Sequence, residues 1–260
     1  MERTATVATF MFHEVTDDPT SSGFQRPGAM AYKHSPQAFA NYLDQLATAP
    51  QLPEIVTAVD LTQPGRHVFL TFDDGGKSAL AAAGALERRG WRGHFFIVTS
   101  LLGNRTFLTA EEIRALRRGG HVIGSHSHTH PSIFRDQTPG RMVEEWRASC
   151  DQLAQLLGEP CLTASVPGGD ISSQVLESAR TAGLRYVFTS EPWLTPRRLD
   201  PCWILGRYSV KVATSATRVG ELARFRGWTS AMVRRRLKVL ATRALPPLYR
   251  LYIRARTHTS

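Results

Sequence analysis

The stretch GSHSHTHPSI, residues 124–133, holds three of the chain's nine histidines within five positions. Neutral imidazole is the commonest nitrogen ligand for zinc and its neighbours. His126 and His130 are four apart and would share one side of a helix. In an extended strand His126, His128 and His130 would share a face instead. The spacing leaves both open, as it leaves open a solvated His/Ser/Thr turn. Two imidazoles make only half a site, because a catalytic zinc takes three protein ligands, often including a carboxylate, and keeps one position for water. TFDDGGKS, residues 71–78, offers the carboxylates. Asp73 and Asp74 are adjacent, so they repel, and a nearby cation relieves them. The structural alternative is that Asp74 or Ser78 caps the helix that follows.

The elements that must position these residues alternate along the chain. Short, almost wholly apolar runs at 5–13, 67–72, 93–98, 121–125, 162–166, 185–190 and 202–210 read as strands. Helical patterns fill 35–47, 78–90, 108–120, 138–158 and 173–183. In the first of these, Phe39, Leu43 and Leu46 fall on one face. Buried strands alternating with helices predict an α/β fold of parallel strands, as an open sheet or a barrel. The polar motifs DDGG, SHTH and PGGD each follow such a strand. Catalytic groups collect at the carboxyl ends of parallel strands in both architectures.

With both motifs in place, the sequence resembles the polysaccharide deacetylase family, also called the NodB-homology domain or carbohydrate esterase family four. Its TFDDG motif is present as Thr71-Phe72-Asp73-Asp74-Gly75. Its His-Ser/Thr-x-x-His motif is present as His126-Ser127-His128-Thr129-His130, followed by Pro131. The resemblance covers about residues 5–212 and extends to FMFHEV (10–15) and the Ser-Pro-x-x-Phe helix start at Ser35. It implies a distorted (β/α) barrel with fewer than eight strands. It also implies a divalent metal, zinc, on Asp74, His126 and His130, with Asp73 as catalytic base and His128 a neighbour outside the ligand set. The chain departs from the family twice. Ser165 in SVPGGD (165–170) stands where the third motif carries an arginine. No histidine follows the last strand, where Gly206, Arg207 and Tyr208 occur; His258 is the only histidine beyond His130. The substitutes are His13, Arg207 as a fixed cation, or Asp170. His13 is preferred because it ends the first strand and would face the same rim; the alternative makes it a hydrogen-bonded core histidine. Pro167, Gly168, Trp193 (in YVFTSEPW, 186–193) and Arg207 are expected to contact substrate.

The chain has 260 residues and a net charge of +10. Residues 216–260 hold ten arginines, Lys238 and a single acid, Glu221, so the excess charge is a property of the tail and the remainder is neutral. This divides the chain into a catalytic barrel, 1–215, and a basic helical C-terminal extension, 216–260. In the extension Val233, Leu237, Leu240 and Leu245 form an apolar stripe among Arg234, Arg235, Arg236 and Lys238, ended by Pro246-Pro247. Such a helix could lie on an anionic membrane surface, touch nucleic acid phosphates, or pack its stripe on the barrel. Nucleic acid ranks last, because stacking aromatics are sparse. Three cysteines with no CxxC pattern, and no basic region followed by an apolar run at the N-terminus, lead to the expectation of a cytoplasmic protein, peripheral at the inner face of the membrane. The expected function is a hydrolase of carbon–nitrogen (non-peptide) bonds that removes acetyl from a polysaccharide, oligosaccharide or lipid-linked sugar. The rivals are a catalytically impaired carbohydrate-binding homologue and a metal-dependent amidohydrolase acting on a non-sugar amide.

Overall fold

The computed structural model describes residues 5–169 and 171–244, with side chains as far as Leu237. Asp170 and His258, the side chains of Lys238 and Leu240, and the stretch holding Leu245, Pro246 and Pro247 lie outside the described residues.

The first strand, β1 (Thr6–Phe12), buries all but its first residue, as its apolar run requires when both faces are covered. Two short strands, β2 (Glu14–Val15) and β3 (Lys33–His34), pair with each other. Helix α1 (Pro36–Ala47) starts where the sequence signals it. Ser35 Oγ accepts from the Ala38 N–H at 3.2 Å, and Pro36 has no N–H to leave unpaired. It buries Phe39, Leu43 and Leu46, and Tyr42 as well. The alternation then runs through β4 (Pro53–Glu54), β5 (Arg66–Phe72), α2 (Ala79–Glu87), β6 (His94–Ile97), α3 (Ala110–Arg118) and β7 (Val122–Ser125). It continues through α4 (Pro139–Leu157), β8 (Thr163–Ser165), α5 (Ser173–Thr181) and β9 (Tyr186–Phe188). Last come β10 (Arg197–Leu199), β11 (Cys202–Leu205), β12 (Tyr208–Ser209), α6 (Ala216–Ala223) and α7 (Trp228–Ala244).

One sheet runs in the order β10-β11-β9-β8-β7-β6-β5-β1-β12, with β4 beside β5. Every pairing in it is parallel except β10 with β11. The expectation of fewer than eight strands is corrected to ten among the described residues, because the short β4, β10 and β12 join the seven principal strands. A second correction concerns 202–210, expected as one strand. It is two. β11 lies near one end of the sheet and β12 at the other, and only Gly206 and Arg207 separate them. The chain therefore steps across the closing edge of a curled sheet. Gly206 permits that step, since a Cβ there would strike the carbonyl oxygens of Glu191 and Trp193.

The main core gathers Phe10, Phe12, Leu43, Leu70, Phe72, Phe95 and Ile97 with Val219, Leu222 and Trp228. The last three place α6 and the start of α7 inside the body. The boundary expected at 215/216 thus falls between a cap and its helix: Ser215 Oγ accepts from the Arg218 N–H. Trp228 is 3% exposed, and its Nε1 donates to the Leu222 carbonyl at 2.9 Å. Beyond it, Val233 and Leu237 are 52% and 62% exposed, so of the three readings of that stripe, packing on the barrel fails at these two positions. No helix among the described residues is long and apolar enough to cross a membrane.

Candidate active site

Asp73 and Asp74 leave β5 at its carboxyl end. The Asp73 N–H donates to the Phe12 carbonyl at 3.0 Å, so the pair is tied to the end of β1 as well. Asp74 then takes φ 76°, a left-handed conformation that aspartate tolerates better than most residues, and Gly75 follows at φ 78°. Gly76 serves a different purpose. Its missing Cβ leaves room for the Glu14 carboxyl group, as does that of Gly23. Neither Asp74 nor Ser78 caps α2: no side-chain capping bond is made at that end. The Ser78 hydroxyl donates to Glu14 Oε2 at 2.6 Å and accepts from the Val15 N–H at 2.9 Å.

The histidine cluster is neither helix nor strand. Ser127 (φ 64°) and His130 (φ 52°) are both left-handed, and hydroxyl groups hold the turn. Ser125 Oγ accepts from the Ser127 N–H and Ser127 Oγ from the His130 N–H, each at 3.0 Å. Thr129 donates through its N–H and its hydroxyl to the two oxygens of buried Glu145, each at 2.7 Å. The Ser/Thr residues between the histidines therefore build the loop, and the fold brings the His126 and His130 rings to 5.0 Å. His128 points elsewhere, with Nδ1 3.0 Å from Thr99 Oγ1.

Asp74, His126 and His130 offer ligand atoms that all lie within 4.8 Å of one another. His126 Nδ1 lies 3.0 Å from the Ser165 carbonyl, which can only accept, so Nδ1 carries the proton and Nε2, 3.4 Å from Asp74 Oδ1, is the atom left to bind a cation between them. His130 Nε2 is 3.9 Å from the same oxygen. Burial pushes the His130 pKa down to about 4 and keeps that ring neutral. At His126 burial works the same way, but Asp73 and Asp74 outweigh it and raise the pKa. For Asp74 the burial cost is overcome by His126 and His13, which hold it well below the usual carboxylate range. Two nitrogens and one carboxylate, buried and converging, fit a divalent metal of the zinc type.

Asp73 faces a different partner. Arg207, from the closing edge of the sheet, is wholly buried and binds it with both terminal nitrogens: Nη1 to Oδ1 at 2.7 Å and Nη2 to Oδ2 at 2.9 Å. Ser165 Oγ donates to Oδ2 at 3.0 Å and accepts from Arg207 Nη2 at 2.7 Å. Arg207 also donates to the Thr189 carbonyl and to Thr71 Oγ1, so all five of its N–H groups have a partner. Burial would raise the Asp73 pKa; Arg207 and then His126 override it and lower the value. The guanidinium missing at position 165 is thus supplied from position 207, and Ser165 is small enough to let it in.

These groups form part of the wall of a cavity of about 780 Å³. His13, Asp73, Asp74, His126, His130 and Gly168 border it. Two expected substrate contacts do not: Pro167 is buried, and Trp193 packs under Arg197, 3.8 Å from ring to guanidinium, while Pro192 takes its place on the wall. Arg207 also lines the cavity, and its bonds to Asp73 agree with its reading as a fixed cation. His13 is half-buried against Tyr32, ring centroids 4.5 Å apart, and burial lowers its pKa. Its Nδ1 has no hydrogen-bond partner among the described residues. Glu14, Phe24, Arg26 and Tyr32 also line the cavity and were missed in the sequence. They lie in the polar stretch after β1, where no spacing rule applies.

Residues 60–187 match the family model for polysaccharide deacetylase. The chain is 26% identical over 157 residues to the peptidoglycan-N-acetylglucosamine deacetylase PgdA of Listeria monocytogenes; the match takes in 58% of this chain and 30% of that protein's length. Among solved structures, BC0361, a polysaccharide deacetylase from Bacillus cereus, has a TM-score of 0.71 at 18% identity, over 84% of this chain and 69% of that one. The deacetylase PplD of Streptococcus pyogenes, in complex with acetate, has a TM-score of 0.70 at 17% identity, over 85% and 99%. IcaB from Ammonifex degensii has 0.69 at 23%, over 84% and 97%. At these identities the structures speak for the fold, and the barrel expected from the sequence is the one observed. Residues 60–187, just under half of the chain, are thus similar to the polysaccharide deacetylase family.

Proposed function

We propose that this chain hydrolyses an acetyl group from an acetylated carbohydrate, with Asp73 as base and Asp74, His126 and His130 holding a divalent metal, zinc by donor type. The observation that carries the reading is the buried Asp73–Arg207 pair beside the Asp/His/His cluster. A protein that only bound sugar would gain nothing from an ionised carboxylate fixed there. Its burial is costly unless the charge does work.

When bound, the metal supplies a Lewis acid that polarises an acyl oxygen and acidifies water. Asp73 accepts the proton of the attacking water. Arg207 and Ser165 keep that carboxylate ionised and fix its orientation, so no reorganisation is needed as the proton arrives. His126 is held in the tautomer that offers Nε2 by the Ser165 carbonyl. His13 lines the cavity with an unsatisfied ring nitrogen, and relays to the leaving amine the proton that Asp73 takes from the water. The exposed Val233 and Leu237 among arginines also suit contact with an anionic membrane surface, tested by co-sedimentation with anionic vesicles at physiological salt.

The test is metal content paired with acetate release from a panel of acetylated sugars. About one metal per chain, lost in His126→Ala, and acetate release abolished in Asp73→Asn with metal retained, is the expected result. Metal without acetate from any sugar would sink the reading in favour of a binding protein or a non-sugar amidase. His13→Gln should lower turnover about 100-fold; turnover near wild type would remove His13 from the reaction.

A further inference from the structure

Above its floor the cavity has a second chemistry. Arg26, Lys211, Arg218, Arg234 and Arg235 all line it. Arg218 pairs with Glu221 at 3.0 Å and Arg235 with Glu191 at 2.8 Å. The other three form no ion pair with a carboxylate among the described residues. Arg26 lies over the Phe24 ring at 4.4 Å, Lys211 over the Tyr32 ring at 5.6 Å, and Arg234 is exposed on α7. Cations gathered from three separate elements around one cavity repel one another, and a ligand bringing negative charge would relieve that repulsion.

The aromatic rings set the distance from this rim to the chemistry. Phe24 also touches His130, ring centroids 5.1 Å apart, and Tyr32 touches His13 at 4.5 Å. One ring therefore separates Arg26 and Lys211 from a histidine of the site. An anion held by them would share the cavity with a sugar bound at its floor.

Helix α7 fixes the outer part. Arg235 Nη2 donates to the Gly169 carbonyl at 2.9 Å, four residues beyond Ser165. Arg218 donates to the Gly227 carbonyl at 2.6 Å and to Ser230 Oγ at 3.1 Å, pinning the first turn of the helix. Arg234 thus overhangs the mouth from a helix bonded to the wall. Three unpaired cations call for more than one negative charge and for an acceptor with several oxygens. Phosphate meets both needs, and arginine and lysine are its usual partners.

We propose that this rim is a phosphate subsite, and that the substrate is an acetylated sugar bearing a phosphate or pyrophosphate linkage. The sugar part rests on the deacetylase reading; the anion part does not. Nucleotide-linked and lipid-linked sugars share this chemistry.

The experiment compares acetate release from one N-acetylated sugar in three forms: an uncharged glycoside, a nucleoside diphosphate conjugate and a polyprenyl-type phosphate conjugate. The zinc-loaded wild type should show kcat/KM about tenfold or more higher for at least one phosphate form than for the glycoside. The preferred conjugate identifies the source. In Lys211→Ala/Arg234→Ala that ratio should collapse toward one, chiefly through KM, and in wild type it should fall with added salt. A wild-type ratio of one, or a ratio unmoved in the double variant, overturns the proposal. Pyrophosphate binding to the purified chain, by titration calorimetry, separates the two readings. Binding lost in the double variant, with no acetate released from any form, keeps the anion subsite and sinks the deacetylase. No pyrophosphate binding in wild type, whether or not acetate is released, sinks the subsite.

Discussion

Two buried carboxylates border the same cavity and behave oppositely. Asp73 is 3% exposed and Glu14 is 2% exposed, so both suffer the same loss of water. Asp73 is answered by a guanidinium and stays below the ordinary carboxylate pKa. Glu14 is bonded only by the hydroxyls of Ser22 and Ser78 on Oε2, with the Lys33 charge acting on it without an ion-pair contact, while Oε1, wedged between Gly23 and Gly76, has no hydrogen-bond partner among the described residues. Burial pushes its pKa up to about 7. Depth alone therefore does not decide ionisation here; direct contact with a full opposite charge does. One carboxylate is held as a base at neutral pH, and the other, which ties the 22–23 loop to the DDGG turn, takes up its proton near neutrality.

The comparison breaks most severely if Asp73 is given Glu14's surroundings. Arg207→Leu removes the cation and leaves a buried charge unmatched, which should cost about 3–5 kcal/mol, read as a lower denaturant midpoint. Acetate release should fall with it. Arg207→Lys should retain part of the stability, because it keeps the charge but cannot span both oxygens of Asp73 along with Thr189, Thr71 and Ser165. A midpoint for Arg207→Leu equal to wild type would show that the pair contributes nothing. In wild type the depressed pKa of Asp73 means its contribution is complete above the unfolded-state value and fades as pH falls through the folded one.

Glu14 gives the opposite sign and a smaller effect. Its folded pKa of about 7 exceeds the ordinary glutamate value of 4.5, so the folded chain holds the extra proton in that window and loses stability as pH rises across it. The full cost above pH 7 is about 3 kcal/mol. Glu14→Gln copies the neutral form and still accepts from both serines. It should match wild type near pH 4.5 and exceed it in melting temperature by several degrees at pH 8. An equal difference at both pH values would mean that Glu14 does not titrate in this range.

Which carboxylate would do what was only half legible in the sequence. TFDDG and HSHTH are local, and local motifs survive reading without a structure; so does Ser35-Pro36, whose geometry depends on neighbours in the chain. The conformation of the histidine loop was not legible, because it depends on left-handed residues at 127 and 130 and on hydroxyl bonds that spacing does not encode. Arg207 was legible as a cation but not as the partner of Asp73. That pairing follows from the sheet's two ends meeting at Gly206-Arg207, a property of closure and not of any segment. Glu14 was passed over although an acid directly after a buried strand and His13 was a signal. Its partners Ser22 and Ser78 and the gap at Gly76 come from stretches that only the fold brings together.

The smallest of the three effects sharpens the comparison most, since it asks how Asp73's network divides its labour. Ser165 contributes one hydrogen bond to the carboxylate and accepts one from the guanidinium. Ser165→Ala deletes both but leaves the two-pronged Arg207–Asp73 contact, so the cost should be about 1.5 kcal/mol. If Ser165 acts only by aligning Arg207, its removal adds little once Arg207 is gone. The double variant Arg207→Leu/Ser165→Ala should then be less destabilised than the two single losses combined, by an interaction energy of about 0.5 kcal/mol or more. In kcat the single variant should lose a few-fold with KM unchanged, as expected of a residue that positions the base without touching substrate. Strict additivity in stability, or a loss expressed in KM alone, would mean that Ser165 meets the substrate itself, and that the base is held by arginine unaided.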